Sequence, residues 1–191
     1  VADSDGIGIA VSSTTNTNIH DNVVFGNADD GIDTWVSPGN IIKNNITYGN
    51  GGTGDGNGIK LGGNTDGGNN TVTGNISYSN ESCGFTSNGN GNYYEGNTAY
   101  NNGGCGFSDD WRVSGNTQMS SFINNRAYSN TAGNFKTMPQ YLNTFIGNLE
   151  TQPGTTSVAS PTFTSTTGAP TLAVINTATA IPTQIAFTPT A

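Results

Sequence analysis

A six-residue pattern, Asn-x-x-aromatic-x-Asn, recurs along the chain and constrains its fold more than any other feature. Five complete copies and a partial sixth begin at asparagines spaced 22 to 30 residues apart: Asn22, Asn45, Asn75, Asn97, Asn125 and Asn148. A repeat of this period is typical of a solenoid, in which each copy forms one turn. The chain is therefore expected to coil as a stack of turns, two of them enlarged by inserted loops.

Two columns of apolar or aromatic residues flank the leading asparagines, and both are expected to stack inside the solenoid. The column three residues before comprises Ile19, Ile42, Val72, Tyr94, Phe122 and Phe145. The column three residues after comprises Phe25, Tyr48, Tyr78, Tyr100 and Tyr128. The segments between turn residues are too short for helices and alternate in hydrophobicity. Each turn should hold two or three short strands, paired in parallel with the next turn roughly 4.8 Å away.

The recurring asparagine suits the bend between two strands. Asparagine tolerates left-handed backbone angles, and its amide can bond the equivalent amides above and below it. We therefore expect an asparagine ladder with a structural rather than a catalytic role.

A second repeated pair, glycine followed by an apolar residue, comes after the hexads. Its members are Gly6-Ile7, Gly31-Ile32, Gly58-Ile59, Gly84-Phe85 and Gly106-Phe107. Four residues usually separate hexad and pair, but eight separate Asn50 from Gly58, so the Gly-rich run 51–56 is an inserted loop. Aligning the pairs makes Asp33 and Lys60 neighbours on consecutive turns, directly after that loop.

Four carboxylates converge on one small surface in this alignment, although the chain is poor in charge. Asp29, Asp30 and Asp33 share one turn, and Asp5 lies on the turn below. Crowded carboxylates repel one another unless a cation neutralises them. Oxygen donors with room for water suit Ca²⁺, whereas Zn²⁺ would favour Cys or His, and the one histidine, His20, lies on another register. The sequence predicts a Ca²⁺ site; the alternative is a set of solvated turn residues.

Lys60 is unusual because Lys and Arg together number five in this chain. One interpretation is a salt bridge with Asp33. The other is a catalytic base, since a nearby Ca²⁺ would lower the pKa of the amine by like-charge repulsion and a neutral amine can accept a proton from carbon.

The net charge of −8 restricts the class of ligand. Five Lys or Arg in 191 residues do not supply the cation clusters that nucleic acids and anionic membranes require. An anionic ligand would need a metal bridge. No stretch of about 18 apolar residues occurs, so no membrane-spanning helix is expected.

Residues 29–33, Asp-Asp-Gly-x-Asp, and residues 55–63, Asp-Gly-Asn-Gly-Ile-Lys-Leu-Gly-Gly, together resemble the pectate lyases of polysaccharide lyase family 9. With the downstream asparagine ladder, the resemblance covers about Asp5 to Asn148. It implies a right-handed parallel β-helix with further turns expected before Val1. The chain departs from the family at Ile59, where Phe is frequent.

The resemblance also implies a mechanism, in which Lys60 is the Brønsted base. It implies that Ca²⁺ is held by four aspartates: Asp5, Asp29, Asp30 and Asp33. The activity implied is β-elimination on polygalacturonate, in which the base removes the C5 proton of a uronate, the C4–O bond breaks, and no water is consumed. An acidic polysaccharide is then the partner of a protein expected to be monomeric.

Two other functions stay open. A glycoside hydrolase on the same fold would use two carboxylates, with Asp29, Asp30 and Asp33 as candidates, but needs no lysine. The Gly-His-Gly and Arg-Ile-Lys signatures of β-helix polygalacturonases are absent. A non-catalytic surface or adhesin solenoid would use Ca²⁺ for rigidity. Arg112, in another insertion, is a candidate to bind a neighbouring substrate carboxylate.

Cys83 and Cys105 fall in one column a turn apart, where they could form a disulfide or stack as two thiols. The β-helix is predicted over residues 1–150, and a Thr/Ser/Pro-rich linker over 151–180. Residues 181–191 resemble the opening strand of a bacterial Ig-like domain. Few lysines and abundant Asn and Thr favour a secreted protein. The start at Val1 without Met indicates a mature or truncated piece of chain.

Overall fold

The computed structural model describes residues 4–10, 16–63, 67–109, 118–137 and 143–150, together with the backbone of Thr162–Phe163. Within these ranges the chain forms short β-strands of two or three residues each, which assemble into three parallel sheets. None of the described segments is a helix of the length and apolarity needed to cross a membrane.

The three sheets form the sides of the solenoid, and each turn contributes one strand to each side. The first sheet contains β1 (Ile7–Gly8), β4 (Ile32–Asp33), β7 (Ile59–Leu61), β10 (Phe85–Ser87), β13 (Phe107–Asp109), β16 (Phe135–Thr137) and β18 (Thr162–Phe163). The second contains β2 (Asn18–His20), β5 (Ile41–Lys43), β8 (Thr71–Thr73), β11 (Tyr93–Glu95), β14 (Ser121–Ile123) and β17 (Thr144–Ile146). The third contains β3 (Val23–Phe25), β6 (Ile46–Tyr48), β9 (Ile76–Tyr78), β12 (Thr98–Tyr100) and β15 (Arg126–Tyr128).

Equivalent residues of successive turns pair with one another, which confirms the parallel β-helix expected from the repeat. Ile32 pairs with Ile59, and Asp33 with Lys60, in the first sheet. The inserted loop therefore changes the length of its turn without changing the register of the strands.

The first apolar column lies in the core, as expected. All six of its members, from Ile19 to Phe145, are buried. Where the column becomes aromatic its rings stack, with centroids 4.7 Å apart for Tyr94 and Phe122. These rings meet those of the first sheet edge to face, as Tyr94 does with Phe85, a favourable geometry for aromatic pairs. The second and first sheets thus supply most of the apolar core.

The second aromatic column does not lie inside, and the expectation that it would is wrong. Phe25 is 57% exposed, and the rings of this column stack along the outer face of the third sheet, 4.9 to 5.1 Å apart. Side chains alternate between the two faces of a strand, so the residue before each aromatic points inward. Those inward residues are small: Val24, Thr47, Ser77, Ala99 and Ala127.

The asparagine ladder is confirmed and buried. In a typical rung, Asn75 donates from its backbone N–H and from its side-chain Nδ2 to the Oδ1 of Asn97, at 2.9 and 3.0 Å. Its Nδ2 also donates to the Ile42 carbonyl at 2.9 Å. A second ladder runs at the hexad ends through Asn27, Asn50, Asn80, Asn102 and Asn130.

The left-handed backbone conformation falls on the residue before each leading ladder asparagine, and not on the asparagine itself. These residues have φ between 52° and 64°: Asp21, Asn44, Gly74, Gly96, Asn124 and Gly147. The bend and the ladder are therefore assigned to two neighbouring positions, which leaves the ladder amide free to face the next turn.

Two further features bear on the sequence predictions. Cys83 and Cys105 form a disulfide, with Cα atoms 4.4 Å apart. Thr162–Phe163, within the segment predicted as linker, pairs as β18 with β16. The rest of residues 151–191 lies outside the described residues, so the linker and Ig-like boundaries stay predictions.

We expect Asn75→Ala to lower the free energy of unfolding by about 3 kcal/mol or more. The substitution leaves the Asn45 backbone N–H and the Ile42 carbonyl without their buried partner, and each such group costs about 1–3 kcal/mol. Asn22→Ala is the matched control, because Asn22 is partly exposed and should cost only about 1 kcal/mol. Urea denaturation followed by circular dichroism measures both, and equal losses would contradict the ladder's energetic role.

Candidate active site

The candidate site lies on the outer face of the first sheet, at β4 and β7. Ile59 and Leu61 point into the core, so Lys60 between them points to the opposite face. On the neighbouring strand Ile32 points into the core, so Asp33, which follows it, also points to the outer face. Sequence alignment of the Gly-apolar pairs predicted this adjacency, and the structure brings the two side chains together.

The glycine before each of these strands fixes how closely the first sheet approaches the third. A Cβ on Gly58 would lie 2.6 Å from Thr47 Oγ1 and would also overlap Ser77. The backbone can come this near only at a residue without a side chain. The Gly-apolar repeat is therefore a packing constraint, and it sets the position of Lys60 two residues later.

Lys60 is buried although it lies on the outer face, with 5% of its surface exposed. Its Nζ is 2.8 Å from Asp55 Oδ2, 3.2 Å from Asp30 Oδ2 and 3.3 Å from Asp33 Oδ2. An ammonium in this position is paired by two carboxylates from the neighbouring turn and by one from the inserted loop. These contacts agree with the salt-bridge interpretation of Lys60.

Three of the four predicted carboxylates form a group that could hold a cation. One oxygen from each of Asp5, Asp30 and Asp33 lies within 4.8 Å of the other two. Asp30 Oδ1 accepts hydrogen bonds from the backbone N–H and the Nδ2 of Asn57, at 2.6 and 2.9 Å. Its Oδ2 is buried beside the Lys60 ammonium, 3.2 Å away. Asp33 Oδ1 is buried with no hydrogen-bond partner in the described part of the chain.

The contacts of Asp29 are with the inserted loop. Its Oδ1 accepts a hydrogen bond from the backbone N–H of Asp55, and its side chain lies where a Cβ on Gly54 would be. Asp29 is not part of the three-carboxylate group found among the described residues. Its observed contacts anchor the inserted loop, and its predicted place among the metal ligands stays a prediction.

Burial and neighbouring charges shift the pKa values of the clustered side chains in opposite directions. Burial raises the pKa of Asp33 to about 7 against the attraction of Lys60, and burial also raises the pKa of Asp30. Burial alone would lower the pKa of Lys60, but the hydrogen bond to Asp55 and the charges of Asp33 and Asp30 outweigh it and raise that pKa. The lysine is therefore an ammonium at neutral pH, and the carboxylates still carry negative charge that a second cation would relieve.

Two residues at the site were not predicted to act there. Asp55 is 64% exposed at its side chain and reaches Lys60 from the inserted loop. Trp35, which follows β4, lies with its ring centroid 5.1 Å from Lys60 Nζ. The signal for Asp55 was its place in the Gly-rich loop five residues before the lysine. Trp35 lies after the aligned columns of the repeat, so no repeated position marks it in the sequence. Arg112 lies outside the described residues.

Comparison with known proteins gives one match of fold. No protein-family model matches the chain, and no curated protein matches it. A similar solved structure is that of pectate lyase Pel9A, with a TM-score of 0.49 and 22% sequence identity. The match covers 66% of this chain and 35% of that one, so the chain spans about a third of that protein's length. The similarity is one of parallel β-solenoid fold.

Proposed function

We propose that this protein is a Ca²⁺-dependent lyase of pectate-type polyuronides, with Lys60 as the base that removes the C5 proton. One observation carries the proposal: Lys60 Nζ lies within 3.3 Å of two buried carboxylates from the neighbouring turn, Asp30 and Asp33. A potential base and a group of hard oxygen donors thus share one surface.

The donor set fits Ca²⁺. Carboxylate oxygens are its preferred ligands, and Asp33 Oδ1 is a buried oxygen without a hydrogen-bond partner in the described chain. The residues that would hold the ion are Asp5, Asp30 and Asp33, with Asp29 as the fourth predicted ligand. When bound, Ca²⁺ would supply positive charge that attracts a uronate carboxylate and makes its C5 proton more acidic.

The chain's own part in the reaction is to hold and move one proton. Neutral Lys60 takes the C5 proton, the electron pair of the C–H bond forms the C4–C5 double bond, and the C4–O bond breaks. The leaving oxygen takes a proton from solvent. The product is a 4,5-unsaturated uronate at the new non-reducing end.

Lys60 must lose its own proton before it can act, and its surroundings determine when it does. The carboxylates that raise its pKa are Asp55, Asp33 and Asp30. Two of these three are also proposed metal ligands, so a bound cation and the ammonium compete for the same negative charge. A bound cation would therefore favour the neutral form of the Lys60 amine.

The geometry favours this function over a glycoside hydrolase. Hydrolases place their two carboxyl groups about 5–5.5 Å or about 6.5–9.5 Å apart, on either side of the bond to be broken. Here Asp30 and Asp33 both pair with the same ammonium, that of Lys60, at 3.2 and 3.3 Å. Carboxylates directed at one cation are not arranged as a separated acid and base.

Secretion and an acidic polysaccharide partner belong to the same proposal. The Cys83–Cys105 disulfide supports an oxidising compartment, and the net charge of −8 makes a metal bridge necessary for an anionic polymer. A monomer suffices for the proposed reaction, because all of the described site residues come from one chain.

Asp33→Asn should weaken Ca²⁺ binding by about tenfold or more, because affinity for this hard cation depends on the number of charged ligands. Isothermal titration calorimetry measures the affinity, and β-rich circular dichroism should be unchanged. Asp21→Asn is the control, since Asp21 lies away from the site, where it bonds His20. Equal Ca²⁺ affinity in wild type and Asp33→Asn would remove Asp33 from the ligands.

Lys60→Ala should retain Ca²⁺ binding and lose turnover of polygalacturonate by about 10²-fold to 10⁴-fold, the usual cost of removing a general base. The readout is the absorbance of the unsaturated product, with Lys43→Ala as the matched lysine control. A lysine that only neutralises Asp33 would instead show activity restored at high Ca²⁺. Absence of unsaturated product from wild type at every calcium concentration would favour the non-catalytic solenoid.

Activity should rise with pH toward the alkaline range, because only the neutral amine of Lys60 accepts a proton and its pKa is raised. Asp55→Asn removes the largest of the contributions that raise this pKa, so it should move the rising limb of the profile to lower pH. Initial elimination rates across pH test both statements. A maximum at about pH 5 would indicate carboxylate acid–base catalysis and the hydrolase.

A further inference from the structure

Trp35 is a partly exposed aromatic side chain at the edge of the proposed site. It follows β4, and 37% of its surface is exposed. Its ring centroid is 5.1 Å from Lys60 Nζ, within the range at which a cation is attracted to the face of an indole. The base of the proposed reaction therefore lies beside an apolar surface that solvent can reach.

The position of the Trp35 ring is set by the backbone. A Cβ on Gly63 would lie 2.8 Å from Trp35 Cδ2 and would overlap the neighbouring ring carbons. A Cβ on Gly67 would lie 2.5 Å from the Trp35 carbonyl oxygen. The lack of a side chain at Gly63 and Gly67 leaves room for Trp35. The close backbone of these glycines restricts where the indole can lie.

Trp35 differs in its ring contacts from the aromatic side chains of the core and of the third sheet. The rings on the outer face of the third sheet stack on one another, from Phe25 to Tyr128, and those of the core stack or meet edge to face. Among the described residues Trp35 has no ring partner. Its exposed surface remains open to a ligand.

We infer that the indole of Trp35 is the platform on which the sugar ring of a uronate bound at the site packs. The inference rests on the proposed function and names a further binding residue for it. The faces of a pyranose carry C–H groups with a small positive charge, and the face of an indole is negative. A sugar ring on the exposed part of the indole would lie near the proposed base, whose Nζ is 5.1 Å from the ring centroid.

The charge of the cluster explains why such a platform is needed. Three carboxylates, those of Asp30, Asp33 and Asp55, pair with one ammonium, and a fourth, that of Asp5, lies beside two of them. The local field therefore repels a polyanion unless metal is bound. An indole attracts the sugar ring through apolar contact and is indifferent to the polymer's charge. Such contact is equal in the ground state and the transition state, so it should affect KM and leave kcat nearly unchanged.

The test compares Trp35→Ala with Phe25→Ala, which removes an aromatic ring that is exposed but lies on the third sheet. Trp35→Ala should raise KM for polygalacturonate by roughly fivefold to tenfold with kcat and the pH profile unchanged. Trp35→Phe should restore part of the affinity, and Phe25→Ala should match wild type. An unchanged KM overturns the platform. A fall in kcat with a shifted pH profile also overturns it, because Trp35 would then act through Lys60.

Binding without turnover separates this inference from the proposed function. Trigalacturonate is titrated by calorimetry into wild type and Trp35→Ala in the presence of Ca²⁺, with folding checked by circular dichroism. Weaker binding by the variant supports the platform even if wild type releases no unsaturated product. Equal binding overturns it whatever the activity, and so does absence of binding to wild type. If Trp35→Ala does not fold, Trp35→Leu, which keeps apolar volume without the ring, makes the same comparison.

Discussion

Pairing of each turn with the next through the asparagine ladders is the constraint on which the rest of the structure depends. A ladder amide such as that of Asn75 accepts a hydrogen bond from the equivalent amide of one neighbouring turn and donates one to that of the other. A slip by one residue would therefore leave buried polar groups unpaired along the whole stack. The same slip would turn Lys60 inward and Ile59 outward. The chemistry of the site therefore relies on amides that do not take part in it.

Much of the fold and part of the site could be predicted from the sequence, because the repeat reports directly on neighbours across turns. Alignment of the Gly-apolar pairs placed Asp33 beside Lys60, and the strand register agrees. The same alignment could not tell which face an aromatic column occupies, since Phe25 and Ile19 are equally apolar in sequence. The inward position beside Phe25 belongs to Val24, and strand alternation relative to the bend decides this.

The residues that escaped prediction are those positioned by irregular backbone. Asp55 lies on an insertion and has no equivalent on neighbouring turns, so no column includes it. Asp29 belongs to the predicted carboxylate cluster, but its observed contact is with the loop backbone at Asp55. Trp35 depends on glycines 28 and 32 residues further along the chain. A repeat predicts contacts between equivalent positions, and these three contacts join positions that are not equivalent.

The disulfide limits how far fraying can spread along the solenoid from its C-terminal turns. One column of side chains runs from Asp30 through Asn57, which bonds the Cys83 backbone N–H, to the Cys83–Cys105 bridge. Repeat folds open from their ends, because each turn is held only by its neighbours. Fraying that starts at the C-terminal turns meets the Cys83–Cys105 bridge before it reaches β7, the strand of Lys60. The bridge therefore limits how far loosening of the last turns can spread toward the candidate site.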